Sequence, residues 1–212
     1  MSTLLFIDTS EKTSFIALLN EKNILELRTN DIENDHSRVI HTQIEDVLAC
    51  QQTDYKNLDG VIAVSGPGSY TGLRVGISSA KGICFGVDKP LIFISNFEKL
   101  AYSFEENCNK MTLIHARKNE FYACIFGKNG EILLNQQVLL EENIIAKSEE
   151  FDAKIIQFSS DKIFFTLATL VEFSLKHLST LIFKKINTQE FQHLSDSEPN
   201  YIKEVYIYPP KK

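Results

Sequence analysis

The chain has 212 residues, 43% of them hydrophobic and 24% charged, with a formal net charge of −6 at pH 7. These values are typical of a soluble globular protein that forms one large domain or two small ones. No apolar run is long enough to span a bilayer, and the start of the chain lacks the features of a secretory signal, so we expect a cytoplasmic protein that does not enter a membrane. The acidic balance also argues against tight RNA binding by this chain alone.

The first 60 residues predict three antiparallel strands followed by a helix. The strands correspond to the apolar or alternating runs at residues 4–7, 14–19 and 24–27, and a polar loop joins the second to the third. The helix begins near Asp35 or Ser37, either of which can cap it. Its apolar stripe consists of Val39, Ile40, Ile44, Val47 and Leu48.

Residues 59–86 combine a strand, a glycine-rich loop and a helix. The strand at residues 61–64 is β-branched and uncharged, as expected for a strand that is buried on both faces. The loop does not match the spacing of a P-loop or of a dinucleotide-binding motif, so we predict a structural role for it rather than phosphate binding. Its residues are Gly66, Pro67, Gly68 and Ser69.

The helix that follows this loop has two distinct rows of residues. The small row contains Gly72, Gly76, Ser79 and Gly82. The apolar row contains Leu73, Ile77, Ala80 and Cys84. Since each glycine destabilises a helix by about 1 kcal/mol relative to alanine, we predict that another backbone approaches the small row closely. Either a second chain or the first helix of the same lobe can supply that contact.

The remainder of the chain predicts a partial repeat of the first pattern. A strand at residues 91–94 and a helix capped by Ser95 end the first unit, and the polar segment 105–110 marks a boundary. Further strands are predicted at residues 111–115, 121–126, 132–140 and 154–158. Helices are predicted at residues 141–147 and, capped by residues 159–161, through residue 178. We therefore predict two lobes, 1–105 and 106–212, with a tail from Tyr201 that packs across them.

Residues 66–82, GPGSYTGLRVGISSAKG, resemble the signature of the TsaB family. The opening LLFIDTS, the pair His36–Ser37, the segment 114–120 and the closing segment 198–203 are also similar to that family. There are two departures from the family pattern. His115 stands where the family has aspartate, and His41 and Thr42 replace a Leu-Pro pair.

The resemblance implies an α/β, two-lobed ribonuclease-H-like fold of the actin/Hsp70 type (ASKHA), in which each lobe is a mixed sheet with flanking helices. It also implies a non-catalytic subunit that pairs with TsaD, the catalytic homologue, and with the ATPase TsaE. That complex forms N6-threonylcarbamoyladenosine beside the anticodon of tRNAs that decode ANN codons, so tRNA would be contacted only through the complex. A homodimer of the free protein stays an open alternative.

The first two helices of the N-terminal lobe are the expected interface. The residues assigned to it are His36, Gln43, Asp46, Cys50, Gly72, Arg74, Gly76, Ser79 and Ala80. A helix that covers one face of a sheet needs one apolar row, and the second row is then free to bind a partner.

The alternative function is an ATP-binding enzyme of the kinase or ATPase type. Asp8, Thr9 and Ser10 follow the first strand, where this superfamily holds phosphate and Mg²⁺. The second lobe offers no matching Asp-Gly-Gly hairpin, and no glycine follows Gly130. We therefore predict no cofactor and interpret Asp8 as a strand-end residue that accepts hydrogen bonds from its turn.

Metal and peptidase chemistry are the weakest interpretations, and we predict no metal and no catalytic residue. His36 and His41 are five residues apart, about 140° around a helix, whereas a metal-binding pair would be three or four apart. The four cysteines contain no C-x-x-C pair and are typical of reduced thiols. A peptidase would need a base positioned beside Ser65, Ser69 or Cys84, and no local motif supplies one.

Overall fold

In the computed structural model, which describes residues 2–30, 35–159 and 164–202, the chain forms two mixed five-stranded sheets with helices on their faces. The first sheet contains β1 Leu4–Asp8, β2 Ser14–Leu19, β3 Ile24–Asn30, β4 Gly60–Gly66 and β5 Leu91–Ser95. The second contains β6 Asn109–Arg117, β7 Glu120–Phe126, β8 Ile132–Leu140, β9 Ala153–Phe158 and β10 Thr169–Val171. The helices are α1 His36–Cys50, α2 Tyr70–Val87, α3 Asn96–Ser103, α4 Glu141–Glu150 and α5 Leu175–Asn187.

Both sheets have the same topology. The strand orders are β3-β2-β1-β4-β5 and β8-β7-β6-β9-β10. In each sheet the first three strands in chain order pair antiparallel. The fourth strand then pairs in parallel with the first, and the fifth pairs in parallel with the fourth. This repetition confirms the predicted two-lobed α/β fold and the predicted repeat of the first pattern in the second half. Within the described ranges, no helix combines the length and hydropathy needed to cross a lipid bilayer.

The first sheet lies between two layers of helices. All residues of the central strands β1 and β4 are buried, because α1 and α2 cover one face and α5 covers the other. The α1–α2 side is closed by Ile40, Ile44, Val47, Leu48, Ile77, Ala80 and Cys84. The α5 side is closed by Leu175, Leu178, Leu181 and Ile182. Burial of these apolar surfaces supplies most of the stabilisation of the lobe.

Helix α3 joins the two lobes. It begins at the Ser95 cap, where the side chains of Ser95 and Glu98 form a capping box, as the sequence indicated. Phe97 packs in one cluster with Phe126 of the second sheet. Helix α5 lies on the first sheet although it follows the second in the chain. The predicted lobe boundary between residues 105 and 106 coincides with the change from the first sheet to the second. It stays a prediction, because α5 follows this boundary in the chain but packs on the first sheet.

The predicted long helix through residue 178 is wrong. The described part of that segment contains β10 and then a new helix, α5, which starts at the Ser174 cap and runs to Asn187. The apolar residues that suggested one helical face divide between strand, turn and helix, and β-branched Thr169 and Val171 favour the strand. The proposed caps Ser160 and Asp161 lie outside the described residues, as does the tail beyond residue 202.

Candidate functional site

The β1–β2 turn, formed by Asp8, Thr9 and Ser10, packs directly against the glycine loop. The backbone N–H of Ser69 donates to the Ser10 carbonyl oxygen at 2.8 Å. A Cβ at Gly68 would lie well under 3.0 Å from that same oxygen. Gly66 has φ of +112°, a left-handed conformation that glycine adopts readily, and the Gly66–Pro67 peptide is cis. In this structure the loop therefore holds the turn against the start of α2, where the Ser69 side chain accepts from the N–H of Gly72.

The first two turns of α2 are covered by Thr9 of the chain's own β1–β2 turn. A Cβ at Gly72 would clash with the Thr9 carbonyl oxygen, and a Cβ at Gly76 would clash with Thr9 Oγ1. Thr9 Oγ1 also donates a hydrogen bond of 2.6 Å to the Gly72 carbonyl oxygen. The predicted close approach of a backbone is confirmed at Gly72, at Gly76 a side-chain atom of the same residue approaches instead, and at Gly82 no atom does. The approaching segment is the β1–β2 turn rather than α1.

Three residues that were assigned to the interface are consequently not at the surface. Gly72, Gly76 and Ala80 are buried in the N-terminal lobe. Gln43 is also buried, and its Oε1 accepts from Ser14 Oγ at 3.0 Å, because it lies at the edge of the core stripe rather than opposite it. These four assignments are corrected, since a buried residue has no surface to offer a partner.

One side of the last two turns of α2 faces open space. Gly82 and Gly86 have no neighbour within 4 Å of the position that a Cβ would take. Between them, Phe85 is 82% exposed, more than any other large hydrophobic residue among those described. These residues border a shallow, mostly apolar surface groove between α1 and α2. We call it the α1–α2 groove, and it is lined by His41, Tyr55, Ser78, Ser79, Gly82, Ile83, Gly86 and Val87.

The other assigned interface residues lie elsewhere on the surface. Asp46 and Cys50 are exposed on α1 near Arg28 of β3, which donates to Cys50 Sγ at 3.1 Å. Arg74 lies at the start of α2, 4.4 Å from the Tyr70 ring centroid, and donates to the Tyr201 hydroxyl at 3.0 Å. Ser79 lines the α1–α2 groove. The side chain of His36 is not among those described.

Asp8 has a partner that the sequence interpretation missed. Its Oδ1 accepts from the N–H of Ser10 at 2.9 Å and from Ser10 Oγ at 2.6 Å, so the predicted strand-end role is confirmed. Its Oδ2 forms an ion pair with the ammonium of Lys99 on α3. The Lys99 Nζ also lies 3.1 Å from Glu11 Oε1. Both Asp8 and Lys99 are 1% exposed.

Burial and charge act in opposite directions on the Lys99 ammonium. Desolvation lowers its pKa, but the Asp8 and Glu11 carboxylates and their hydrogen bonds outweigh that effect and raise the pKa above its ordinary value. Lys99 is therefore charged at neutral pH. The sequence did contain a signal for it, since Asn96, Lys99 and Ser103 form a polar row at i, i+3 and i+7 next to the apolar residues of the same helix.

Asn96 completes this polar cluster. Its Nδ2 donates to Ser10 Oγ and to the Pro67 carbonyl oxygen, both at 2.8 Å. Helix α3 therefore fixes the β1–β2 turn and the glycine loop together. Next to this cluster a cleft opens between the lobes, with aromatic walls that include Phe158, Phe164 and Phe173.

The residues considered for nucleophilic or metal chemistry are engaged in packing, hydrogen bonds or helix capping. Burial raises the pKa of the Cys84 thiol to about 12, so it is protonated and unreactive at neutral pH. Ser65 Oγ donates to the Ile94 carbonyl oxygen, and Ser69 caps α2. His115 stacks on Phe164 with 3.8 Å between ring centroids. Within the part of the chain that the structure describes, no three His, Cys, Asp or Glu side chains form a group that could hold a metal ion.

Comparison of the chain with known proteins identifies its family. The family model of TsaD, tRNA N6-adenosine threonylcarbamoyltransferase, matches residues 29–211. The "tRNA threonylcarbamoyladenosine biosynthesis protein TsaB" of Haemophilus influenzae is 36% identical over 57% of this chain and 52% of its own length. The protein of the same name from Bacillus subtilis is 30% identical over 68% of this chain and 62% of its own. The chain thus spans between about half and three-fifths of these relatives.

A solved structure agrees with this assignment at the level of the fold. The crystal structure of a Pseudomonas aeruginosa protein described as similar to peptidase YeaZ superposes with a TM-score of 0.77. It covers 96% of this chain and 100% of its own, at 22% sequence identity, and therefore shows the shared fold alone. From the matched family model and the curated relatives, the chain belongs to the family of the TsaD-type threonylcarbamoyltransferases and, within it, to the TsaB proteins.

Proposed function

We propose that this chain is a non-catalytic subunit in the biosynthesis of N6-threonylcarbamoyladenosine in tRNA. In this proposal it acts in the cytoplasm, binds a TsaD-type transferase and supports its reaction. The names of the curated relatives support the pathway. The net charge of −6 supports contact with tRNA through the partner rather than through this chain. The TsaB resemblance adds the ATPase TsaE as a second partner, to which we assign no surface.

The observation that carries the proposal is the open second half of α2. Phe85 is 82% exposed beside Gly82 and Gly86, where an added Cβ would meet no atom within 4 Å. An aromatic side chain in that position leaves a large apolar surface in water, and binding energy at protein interfaces is concentrated in such residues. The α1–α2 groove continues this apolar surface.

Glycines at i and i+4 favour a helical partner. Gly82 and Gly86 share one row of α2, so a second helix can approach its backbone more closely than larger side chains would allow. Such an approach would offset the intrinsic helix destabilisation of about 1 kcal/mol that each glycine causes. We therefore place the TsaD-binding surface on the second half of α2 and the adjacent edge of α1, around Phe85 rather than around Gly76.

Association with purified TsaD, followed by calorimetry and size exclusion, tests the proposal. We expect Phe85→Asp to weaken binding at least about 30-fold, the effect of losing a central interface residue worth 2 kcal/mol or more. Gly82→Arg, which introduces a long side chain into the α1–α2 groove, should have a similar effect. The matched control is Leu167→Asp, since Leu167 is an equally apolar residue, 67% exposed, in the second lobe. It should bind within twofold of the wild type.

Two results would contradict the proposal. One is that the wild-type chain and TsaD do not associate at micromolar concentrations. The other is that Phe85→Asp and Leu167→Asp bind equally well. Light scattering of the free chain belongs in the same experiment, because a homodimer formed through the same surface should also dissociate in Phe85→Asp.

A further inference from the structure

A small pocket lies at the end of α3, where this helix meets the second sheet. It has a volume of about 170 Å³ and is lined by Ala101, Tyr102, Lys110, Phe126, Gly127, Lys128, Asn129 and Gly130. Two of these eight residues, Lys110 and Lys128, are charged, and both are positive. The lining therefore favours an anion, and the volume lies below the range of pockets for drug-sized ligands, which starts at about 300 Å³.

Lys110, on β6, donates hydrogen bonds to backbone oxygens. Its Nζ atom lies 3.1 Å from the Ala101 carbonyl oxygen and 2.9 Å from the Phe104 carbonyl oxygen, at the C-terminal end of α3. Among the described residues, no carboxylate forms an ion pair with Lys110. Other lysines of the chain do pair with a glutamate or an aspartate, namely Lys99, Lys147, Lys154 and Lys185.

Two carbonyl oxygens suit a neutral amine. A neutral lysine has two N–H donors and a lone pair, whereas the ammonium has three donors. The third N–H of the charged form has no acceptor within the described part of the chain. Burial also lowers the pKa of Lys110, and the opposing effect of Cys108 is smaller. A larger fraction of this side chain is therefore an unprotonated nucleophile than of a lysine in open solvent.

The other ionisable groups around the pocket add no uncompensated negative charge at Lys110. Tyr102 faces the pocket from α3, and burial raises its pKa, so its phenol is protonated at neutral pH. On β9, Lys154 pairs with Glu106 at 2.6 Å, so these two charges compensate each other. Glu131 accepts a hydrogen bond from the backbone of the 127–130 hairpin and is not part of the lining.

We infer that Lys110 is an acyl-acceptor site, modified on its amine by small acyl phosphates that enter this pocket. Nζ attacks the carbonyl carbon of the acyl phosphate, so that a C–N bond forms and the C–O bond to the phosphate breaks. Inorganic phosphate leaves with the electron pair, and the amine proton passes to water, so the step requires no oxidant or reductant. The product is a neutral amide, and the pocket has room for an acyl group of two carbons.

This site is distinct from the α1–α2 groove, and its chemistry does not depend on TsaD binding. A failure of one proposal is therefore distinguishable from a failure of the other.

The test is acetylation of the full chain by acetyl phosphate at pH 8, followed by mass spectrometry of the lysine-containing peptides. We expect the rate at Lys110 to exceed that at Lys154 at least about fivefold. Lys81 is the matched internal control, because its Nζ also donates to a backbone oxygen, that of Ser197 at 3.0 Å, but it lies outside the pocket. It should react like Lys154. The rate at Lys110 should rise with pH and level off below the ordinary lysine pKa of 10.5.

A change of charge in the pocket provides an independent measurement. Asn129→Asp places a carboxylate in the lining and should slow acetylation of Lys110 at least about threefold, because a nearby negative charge stabilises the ammonium. Asn187→Asp is the matched control, since it makes the same change at an exposed position at the end of α5. It should leave the rate at Lys110 unchanged, and neither variant should alter the rate at Lys154.

Three outcomes would overturn the inference. One is a rate at Lys110 no higher than the rates at Lys81 and Lys154, which would leave Lys110 as a cap of α3 alone. Another is that Asn129→Asp slows acetylation no more than Asn187→Asp does. The third is an excess rate at Lys110 that survives in urea-unfolded chain, because the reactivity would then come from the local sequence rather than from the folded pocket.

Discussion

The first and second halves of α2 are both rich in glycine, but they face different surroundings. Gly72 and Gly76 lie against the Thr9 turn so closely that a methyl group at either position would clash with it. Gly82 and Gly86 have no neighbouring atom within 4 Å of a Cβ position. One residue type, repeated along one helix, thus serves internal packing at one end and leaves an open surface at the other.

The difference shows that the two halves of α2 have different roles. In the first half, the glycines allow the β1–β2 turn and the glycine loop to form one rigid unit with α2, held by the hydrogen bond from Thr9 to Gly72. In the second half, nothing described in the chain compensates for the glycines. In the proposed complex, a partner outside the chain compensates for them. Four substitutions or conditions can sharpen or break the contrast between the two halves.

The largest effect is expected for Gly72→Ala. Its methyl group would meet the backbone carbonyl oxygen of Thr9, which cannot move without displacing β1. We expect a loss of about 3 kcal/mol or more in the free energy of unfolding, measured by urea denaturation. A loss below about 1 kcal/mol would mean that the turn is not held tightly against α2.

Gly76→Ala should have a smaller and rescuable effect. Here the clash is with a side-chain atom, Thr9 Oγ1. We expect a loss of about 1–3 kcal/mol. Adding Thr9→Ala should recover a coupling energy of about 1 kcal/mol in a double-mutant cycle. The same Thr9→Ala should not rescue Gly72→Ala, because that clash involves the backbone. Equal rescue at both sites would contradict the described geometry.

Alkaline pH tests the buried side of the second half of α2, where Cys84 faces the core. Burial raises the pKa of Cys84 and Cys124 from 9.0 to about 12. Between those values the unfolded chain releases thiol protons that the native chain retains, so stability is full below pH 9 and falls as pH rises toward 12. We expect each thiol to account for about 1 kcal/mol of the loss between pH 8 and pH 10.

Urea midpoints at the two pH values measure this loss. Cys84→Ala/Cys124→Ala should show a reduced difference between pH 8 and pH 10. Cys50→Ala, at an exposed position, should behave like the wild type. The window stays below the ordinary Lys pKa of 10.5, so Lys99 does not contribute to it. A pH dependence that survives the double substitution unchanged would show that other groups cause it.

The smallest effect, of opposite sign, is expected for Gly82→Ala. The added methyl group meets nothing, and alanine is the better helix former. We expect a gain of about 0.5–1 kcal/mol in the same urea measurement that detects the losses at Gly72 and Gly76. A loss at Gly82 would show that this part of α2 is also covered in the free chain.

The order of elements was largely predictable from the sequence. Uncharged β-branched runs predicted the buried strands, and Ser95 predicted the start of α3, because strand burial and helix capping are local properties. The segment around residues 159–178 was not predictable in the same way. Its apolar residues suit either a helix or a strand, and the choice depends on which sheet edge is available to pair with.

The candidate site was predicted only in part. The small row of α2 indicated close packing, yet the spacing of Gly72, Gly76 and Gly82 is the same whether a neighbour is present or not. Lys99 was missed because its two carboxylates are 91 and 88 residues away in the chain. Contacts over that separation arise from topology rather than from any local pattern.

The sequence by itself determined the family, the repeated α/β order and the presence of a helix that tolerates close approach, since these depend on residue type and short-range spacing. Only the tertiary structure decided that the β1–β2 turn covers Gly72 and Gly76, that Phe85 is left in solvent, and that Lys99 neutralises Asp8. The physical reason is that burial and charge pairing are properties of surroundings, and distant parts of the chain create those surroundings when the two sheets assemble around α3.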